Sequence, residues 1–251
     1  MEQANVILIT QARTGSSRLP GKVLLEINEK SLLEIHLERV RKSILVDEVI
    51  VATTTDPADY QIVNLCNDLG VDVFCGSEKD VLERYYQSAL RYKPRWVVRV
   101  TSDCPLIDPQ LIDAIIQCAI TNDVDYCSNG LIEQFPDGQD VEVFKFKALE
   151  IAYQEAVLNS DREHVTPFIR RGKGSGKPFK TLNFPCREDY SKVRMTVDEE
   201  ADFNVIKGLI DAIGIDKNWL EYTRYLQNSE ISKLNSDIIR NEGYLKSQKN
   251  D

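Results

Sequence analysis

The sequence predicts an α/β protein, an open and mostly parallel sheet covered by helices on both faces. Four apolar, β-branched runs alternate with helical patterns in the first two-thirds of the chain. Those runs are continuously hydrophobic, as strands buried on both faces are. There is also material for a real core, since 42% of the 251 residues are hydrophobic and 28% charged.

VILIT (6–10) reads as the first buried strand. A helix from about Ser31 to Ser43 follows, with Ser31 and Glu34 as an S-x-x-E capping box and Leu33, Leu37, Val40 and Ile44 as its apolar stripe. VIVATT (49–54) is the second strand, and Asp56-Pro57 opens the next helix as N-cap and N1. VDVF (71–74) is a shorter strand before a helix over 78–93. WVVRVT (96–101) is the fourth, and Asp108-Pro109 opens a helix to about 121. Beyond 122 the alternation changes. VDYCS, VEVF and VRMTV are expected as further strands, with helices near 147–171 and 199–213. RRGKGSGK (170–177) is a basic, glycine-rich loop. From Asp216 the chain reads as helical and charged, ending in a frayed tail. With no repeat and no clear linker, residues 1–215 form one domain and 216–251 a helical extension of it.

Lys and Arg total 31 against 40 Asp and Glu, a net charge of −9, which argues against a general nucleic-acid binder but leaves room for a local basic pocket. The N-terminus MEQANVILITQA lacks the charged and apolar regions of a signal peptide, and no apolar run approaches the ~20 residues of a membrane span. None of the six cysteines forms a C-x-x-C pair. They are expected as reduced thiols in a cytoplasmic protein that works without a membrane. The only histidines, His36 and His164, lack thiol partners at ligand spacing, so a zinc site is not expected.

The chemistry concentrates where strands end. QARTGSSRLPGK (11–22) follows the first strand with two glycines, hydroxyls, Arg13, Arg18 and Lys22. It is not a Walker A loop, because five residues separate Gly15 from Gly21 and Val23 follows Lys22. No G-x-G-x-x-G is present there either. What remains suits several phosphate oxygens at once, although a solvated βα turn would carry such charges too. QARTGSSRLPGK, ATTTD and TSDCP all fall at carboxyl ends of strands and should meet on one rim, where ligands of such sheets bind. Asp103, in TSDCPLIDP, faces that basic loop as a natural Mg²⁺ ligand; Asp108 already serves as the helix cap. Asp198, where VRMTV ends, supplies a second metal ligand, while Glu199 and Glu200 complement the next helix dipole. His164, in REHVTPF, suits either a general base or a hydrogen-bonding pocket residue, and the pocket role is favoured. His36 reads as structural.

Taken together, QARTGSSRLPGKVL, IVATTTD, VFCGSEKDVLERYYQ, VVRVTSDCPLID, FPDGQDVEVF, REHVTPFI and VRMTVDEEAD resemble the spore coat polysaccharide biosynthesis (SpsF-type) cytidylyltransferases, relatives of the CMP-Kdo and CMP-neuraminic acid synthetases. The segments run in the family's order over roughly residues 6 to 210. The resemblance implies a nucleotide-diphospho-sugar transferase fold, a three-layer α/β/α sandwich with a Rossmann-like sheet, over the nucleotidyltransferase domain 1–215. It implies attack of a sugar hydroxyl on the α-phosphate of CTP, with Mg²⁺ as cofactor, and a homodimer. Ala12, Arg13, Gly15, Ser16, Arg18 and Lys22 correspond to the triphosphate loop, with Arg13, Lys22 and Asp103 carrying the chemistry. Thr53, Thr54 and Thr101 fall on the nucleotide side. Gln139, Asp140, Glu142, Glu163 and His164 look like the acceptor pocket, and Asp103 and Asp198 like the metal ligands. The family's usual Gly-Leu-Asp is Gly138-Gln139-Asp140 here, and its Val-Asp-Thr is Val197-Asp198-Glu199. Two alternatives stay open: a transferase using another nucleotide or a phosphorylated acceptor, and an inactive nucleotide-binding regulator.

Overall fold

VILIT becomes β1 (Val6–Gln11), a central strand of a sheet that has seven strands among the described residues. The computed structural model describes residues 5–172 and 178–251; part of the basic glycine-rich loop, 173–177, lies outside them. After β1 come a small antiparallel hairpin, β2 (Glu26–Ile27) and β3 (Lys30–Ser31), and then α1 (Leu32–Val40). The expected alternation follows as β4 (Glu48–Thr54), α2 (Tyr60–Asp68), β5 (Asp72–Gly76), α3 (Val81–Leu90), β6 (Trp96–Thr101) and α4 (Pro109–Thr121). The second half holds β7 (Tyr126–Ser128), β8 (Glu142–Lys145), α5 (Phe146–Glu155), α6 (Asn159–His164), α7 (Pro167–Arg170) and β9 (Thr181–Asn183). It closes with α8 (Glu200–Ile213), α9 (Trp219–Gln227) and α10 (Glu242–Ser247).

The strand order is β5-β4-β1-β6-β8-β7-β9, with β8 alone running antiparallel to its neighbours. Alternate residues of β1 feed opposite cores. Val6 and Leu8 pack with Leu33 and Leu37 of α1 and Ile112, Ile115 and Ile116 of α4. Ile7 and Ile9 pack with Leu82 and Tyr85 of α3 and Leu149 of α5. These are the two faces of the expected three-layer sandwich. A third core under α8 and α9 gathers Leu106, Met195, Val197, Val205, Leu209 and Tyr222. From β1 the chain first turns to β4 and β5, then crosses to β6 on the other side. That reversal opens a crevice at the carboxyl ends of β1 and β6. The register makes those ends level, since Gln11 pairs with both Ala52 and Thr101.

Ser31 caps α1, its Oγ accepting from the Glu34 amide at 3.1 Å, and Asp108 caps α4 by accepting from Gln110 and Leu111. Four expectations change. Helix α1 ends at Val40, so Ile44 leaves the apolar stripe and is 86% exposed; the turn after it is tied to the Asp113 carboxylate through Ser43, Ile44 and Leu45. The expected helix over 147–171 is three short ones, broken before Asn159 and again at Val165, whose φ is +70°. VRMTV is not a ladder strand: it makes one isolated bridge, Asp137 to Arg194, because the Val197 amide turns to the Asp103 carbonyl instead. The tail is not frayed either. Arg240 anchors it to the Phe135 carbonyl and Asp140, and Asp251 accepts from Ser160. No helix among the described residues is long and apolar enough to cross a membrane.

Candidate active site

The loop after β1 folds around one carbonyl. The amides of Ser16 and Gly21 both donate to Thr14 O at 2.9 Å, and the Ser16 hydroxyl accepts from Leu19 N. Thr14 is itself held by Asp59, which accepts from its amide and its hydroxyl, each at 2.7 Å. Burial opposes ionisation of Asp59, but hydrogen bonds from Thr54 and Thr14 keep its carboxyl below the usual range. Gly21 adopts φ +68° and starts a single 3-10 turn, which directs Lys22 back into the crevice.

There the Lys22 ammonium donates to Asp103 Oδ2 (2.8 Å), Asp198 Oδ1 (2.9 Å) and the Val197 carbonyl (2.8 Å). Despite burial, the two carboxylates raise its pKa above 10.5. In return Lys22 overcomes the burial of Asp103 and holds that carboxyl well below the usual range. Asp103 is fixed through its backbone as well, its carbonyl accepting from Val197 N and Thr196 Oγ1. Asp198 is oriented by Arg194, which also binds Asp137 and makes a two-point contact with Asp202. Arg18 reaches Asp198 at 2.9 Å and Glu242 of α10 at 3.6 Å.

Two cavities share this wall. The first, about 620 Å³, is lined by Ala12, Arg13, Ser16, Lys22, Lys79, Arg84 and Thr101. The second, about 600 Å³, is lined by Asp140, Glu142, Thr166, Arg170, Arg240 and Tyr244. Arg18, Asp103, His164, Asp198 and Glu242 border both. Each has the size of a small-ligand site. Glu142 is saturated by Arg99, Tyr126 and Thr166. The Arg170 guanidinium, in contrast, makes no hydrogen bond among the described residues. His164 stands edge-on to Tyr244, its Nε2 makes no hydrogen bond among the described residues and lies 3.9 Å from Glu163 Oε2, and burial together with Arg99 lowers its pKa to about 4.

A family model described as cytidylyltransferase matches residues 7–234. This chain is a member of the cytidylyltransferase family. It is 34% identical to the spore coat polysaccharide biosynthesis protein SpsF of Bacillus subtilis, over 84% of this chain and 88% of that one. An uncharacterized protein of Methanocaldococcus jannaschii, MJ1063, is 41% identical over 93% and 95% of the two chains. Among solved structures, a cytidylyltransferase from Leptospira borgpetersenii superposes with a TM-score of 0.85 at 31% identity, covering 91% and 96%. A CMP:2-keto-3-deoxy-manno-octonic acid synthetase complexed with CTP shares the fold, with a TM-score of 0.60 at 18% identity over 83% and 99%. The nucleotide-diphospho-sugar transferase fold expected from the sequence is the one observed.

Of the residues the cytidylyltransferase resemblance singles out, most meet at the cleft; Glu163, expected in the acceptor pocket, lines the first cavity and not the second. Three side chains do not reach the cleft. Thr53 is fully buried, and Thr54 turns its hydroxyl to Asp59 inside the strand–helix junction. Gln139 is fully buried too, donating to the Leu106 carbonyl and accepting from the Asp108 amide, so it ties the Asp103 loop to the second cavity's wall. Gly15 belongs to the loop but not to the lining, and a Cβ there would meet only Glu78 Oε1 at 3.9 Å. Sequence reading missed Asp59, Arg84, Arg194 and the C-terminal residues Arg240, Glu242 and Tyr244. The Asp56-Pro57 signal pointed to the helix start where Asp59 lies, but nothing in the charged tail marked Arg240 or Tyr244 as cleft residues.

Proposed function

We propose that this cytidylyltransferase activates an acidic sugar of the 3-deoxy-ulosonic type: an acceptor hydroxyl attacks the α-phosphate of CTP, giving a CMP-sugar for surface polysaccharide or glycoconjugate synthesis. The observation that carries the reading is the pair of similar cavities meeting at Asp103 and Asp198. The cation-rich first cavity takes the triphosphate on Arg13, Ser16, Arg18 and Lys22. The second takes the acceptor, whose carboxylate suits Arg170, a guanidinium that faces Glu142 but makes no hydrogen bond among the described residues. In the reaction the acceptor hydroxyl oxygen bonds to the α-phosphorus and its proton passes to water, the bond from the α-phosphorus to the α,β-bridging oxygen breaks, and pyrophosphate leaves with that oxygen. Holding both reactants in line is the main task. A neutral His164 with a pKa near 4 is a weak base and serves as a wall.

Mg²⁺ fits the residues present. Asp103 and Asp198 offer hard oxygens already gathered around one cation, the Lys22 ammonium, and Mg²⁺ characteristically takes one or two carboxylates plus phosphates and waters. Bound there, it would offset the negative charge that grows on the phosphate oxygens. Cytoplasmic location and a homodimer complete the reading; sedimentation velocity tests the latter.

The experiment is pyrophosphate release with CTP and Mg²⁺ across 2-keto-3-deoxy sugar acids, neutral sugars and sugar phosphates. Release is expected with a sugar acid, and Asp103→Ala should lower it by about 100-fold or more while keeping the native circular dichroism. Release with UTP or GTP but not CTP would overturn the nucleotide assignment. CTP binding without release for any acceptor would favour an inactive regulator.

A further inference from the structure

The Lys22 ammonium has three protons, and the structure gives it three oxygens: Asp103 Oδ2, Asp198 Oδ1 and Val197 O. Two carboxylates and a carbonyl are the hard donor set a divalent cation uses. Asp198 is engaged on both oxygens, Oδ1 by Lys22 and Arg18 and Oδ2 by Arg194. The two carboxylates are therefore already held by three cations, Lys22, Arg18 and Arg194, of which Arg18 is shared with Glu199 and Glu242 and Arg194 with Asp137 and Asp202, while Lys22 sits on the oxygens a metal ion would use. Two of those cations, Arg18 and Lys22, belong to the loop that lines the triphosphate cavity, and Arg18 is exposed. Arg194 is buried on Asp202 and stays.

We propose that Lys22 is a placeholder cation: it occupies the metal carboxylates until a triphosphate draws it away, so metal binding is conditional on nucleotide binding. Phosphate oxygens give Lys22 and Arg18 new partners, and their departure exposes Asp103 and Asp198. Linkage makes the effect reciprocal, so metal bound at the aspartates frees the loop cations for phosphate. This rests on the reading of Asp103 and Asp198 as metal ligands. It goes beyond simple bridging of a metal between protein and phosphate, because bridging alone assigns Lys22 no role in metal affinity when nucleotide is absent.

The test is Mn²⁺ binding by electron paramagnetic resonance on the full chain without nucleotide. Lys22→Met should bind Mn²⁺ about tenfold or more tighter than the unaltered protein, and the added Asp103→Asn change should abolish that gain. Inorganic tripolyphosphate should tighten Mn²⁺ strongly in the unaltered protein and much less in Lys22→Met. Should Lys22→Met fail to fold, Arg18→Gln removes the more exposed of the two cations and should tighten Mn²⁺ in the same direction. Equal Mn²⁺ affinity in the unaltered protein and the folded variants would overturn the placeholder role while leaving the metal site standing. No Mn²⁺ binding in any protein, even with CTP, would instead overturn the metal assignment itself.

Discussion

His164 and His36 are both held neutral, for different uses. His36 is fully buried in α1, with Nδ1 against the Cys104 carbonyl at 3.0 Å, and burial lowers its pKa to about 4. His164 reaches a similar value beside Arg99 at the border of the two cavities. Because the folded values lie below the ordinary 6.5, the neutral imidazoles contribute stability that is fully present above pH 6.5 and lost as pH falls through about 4. For the fully buried His36 that contribution is about 3 kcal/mol. Asp137 acts with the opposite sign: burial and Asp140 push its carboxyl up to about 7, so its protonation favours the folded state as pH falls. A proton NMR titration separates the groups. Both imidazole signals should move near pH 4; a midpoint near 6.5 for His164 would contradict its burial and reopen its role as a base. The sequence allowed either role for His164, because a histidine's neighbours in the chain do not reveal that Arg99, from β6, faces it.

The segment 193–198 is the element on which the site depends, and the strand expected at VRMTV (193–197) does not form in it. Its alternation of Val193, Met195 and Val197 is real, and Met195 and Val197 are fully buried. A ladder does not form because the segment is shared between two loops: Asp137 bonds Val193 and Met195, while Asp103 bonds Val197. Pattern reports which side chains are buried, not which backbone groups are already taken. Gly138 makes this close packing possible. Its φ is +101°, and a Cβ would lie 2.6 Å from the Met195 carbonyl carbon and 2.7 Å from Thr196 N. Neither neighbour is a movable side-chain tip. Gly138→Ala should therefore cost about 3 kcal/mol, from backbone strain and overpacking together. Urea denaturation measures it; a loss below about 1 kcal/mol would show that the Asp137 and Met195 backbones separate easily. The C-terminal elements were equally illegible. Arg240 and Tyr244 acquire their places from Asp140, 100 positions away in sequence, and His164, 80 positions away.

At the scale of the molecule, the parallel half of the sheet, β5-β4-β1-β6, was legible because each strand is an apolar run followed by a capped helix. The half built from β8, β7 and β9 was less so: β9 is three residues, Thr181–Asn183, at the sheet edge. The legible half also carries the loop 11–22 and Asp103, which is why much of the first cavity's lining could be read from the sequence while much of the second's could not. A protein of net charge −9 thus keeps Arg13, Arg18, Lys22, Lys79 and Arg84 around one cavity, and the central claim is that this cavity is for CTP. Thermal unfolding in the presence of CTP, UTP, GTP or ATP, each with and without Mg²⁺, tests it most directly. A ligand at ~100 times its dissociation constant adds roughly 2.7 kcal/mol of stability. Tm should rise most with CTP and Mg²⁺ together. Equal shifts for all four nucleotides, or a larger one for any of the other three, would contradict it.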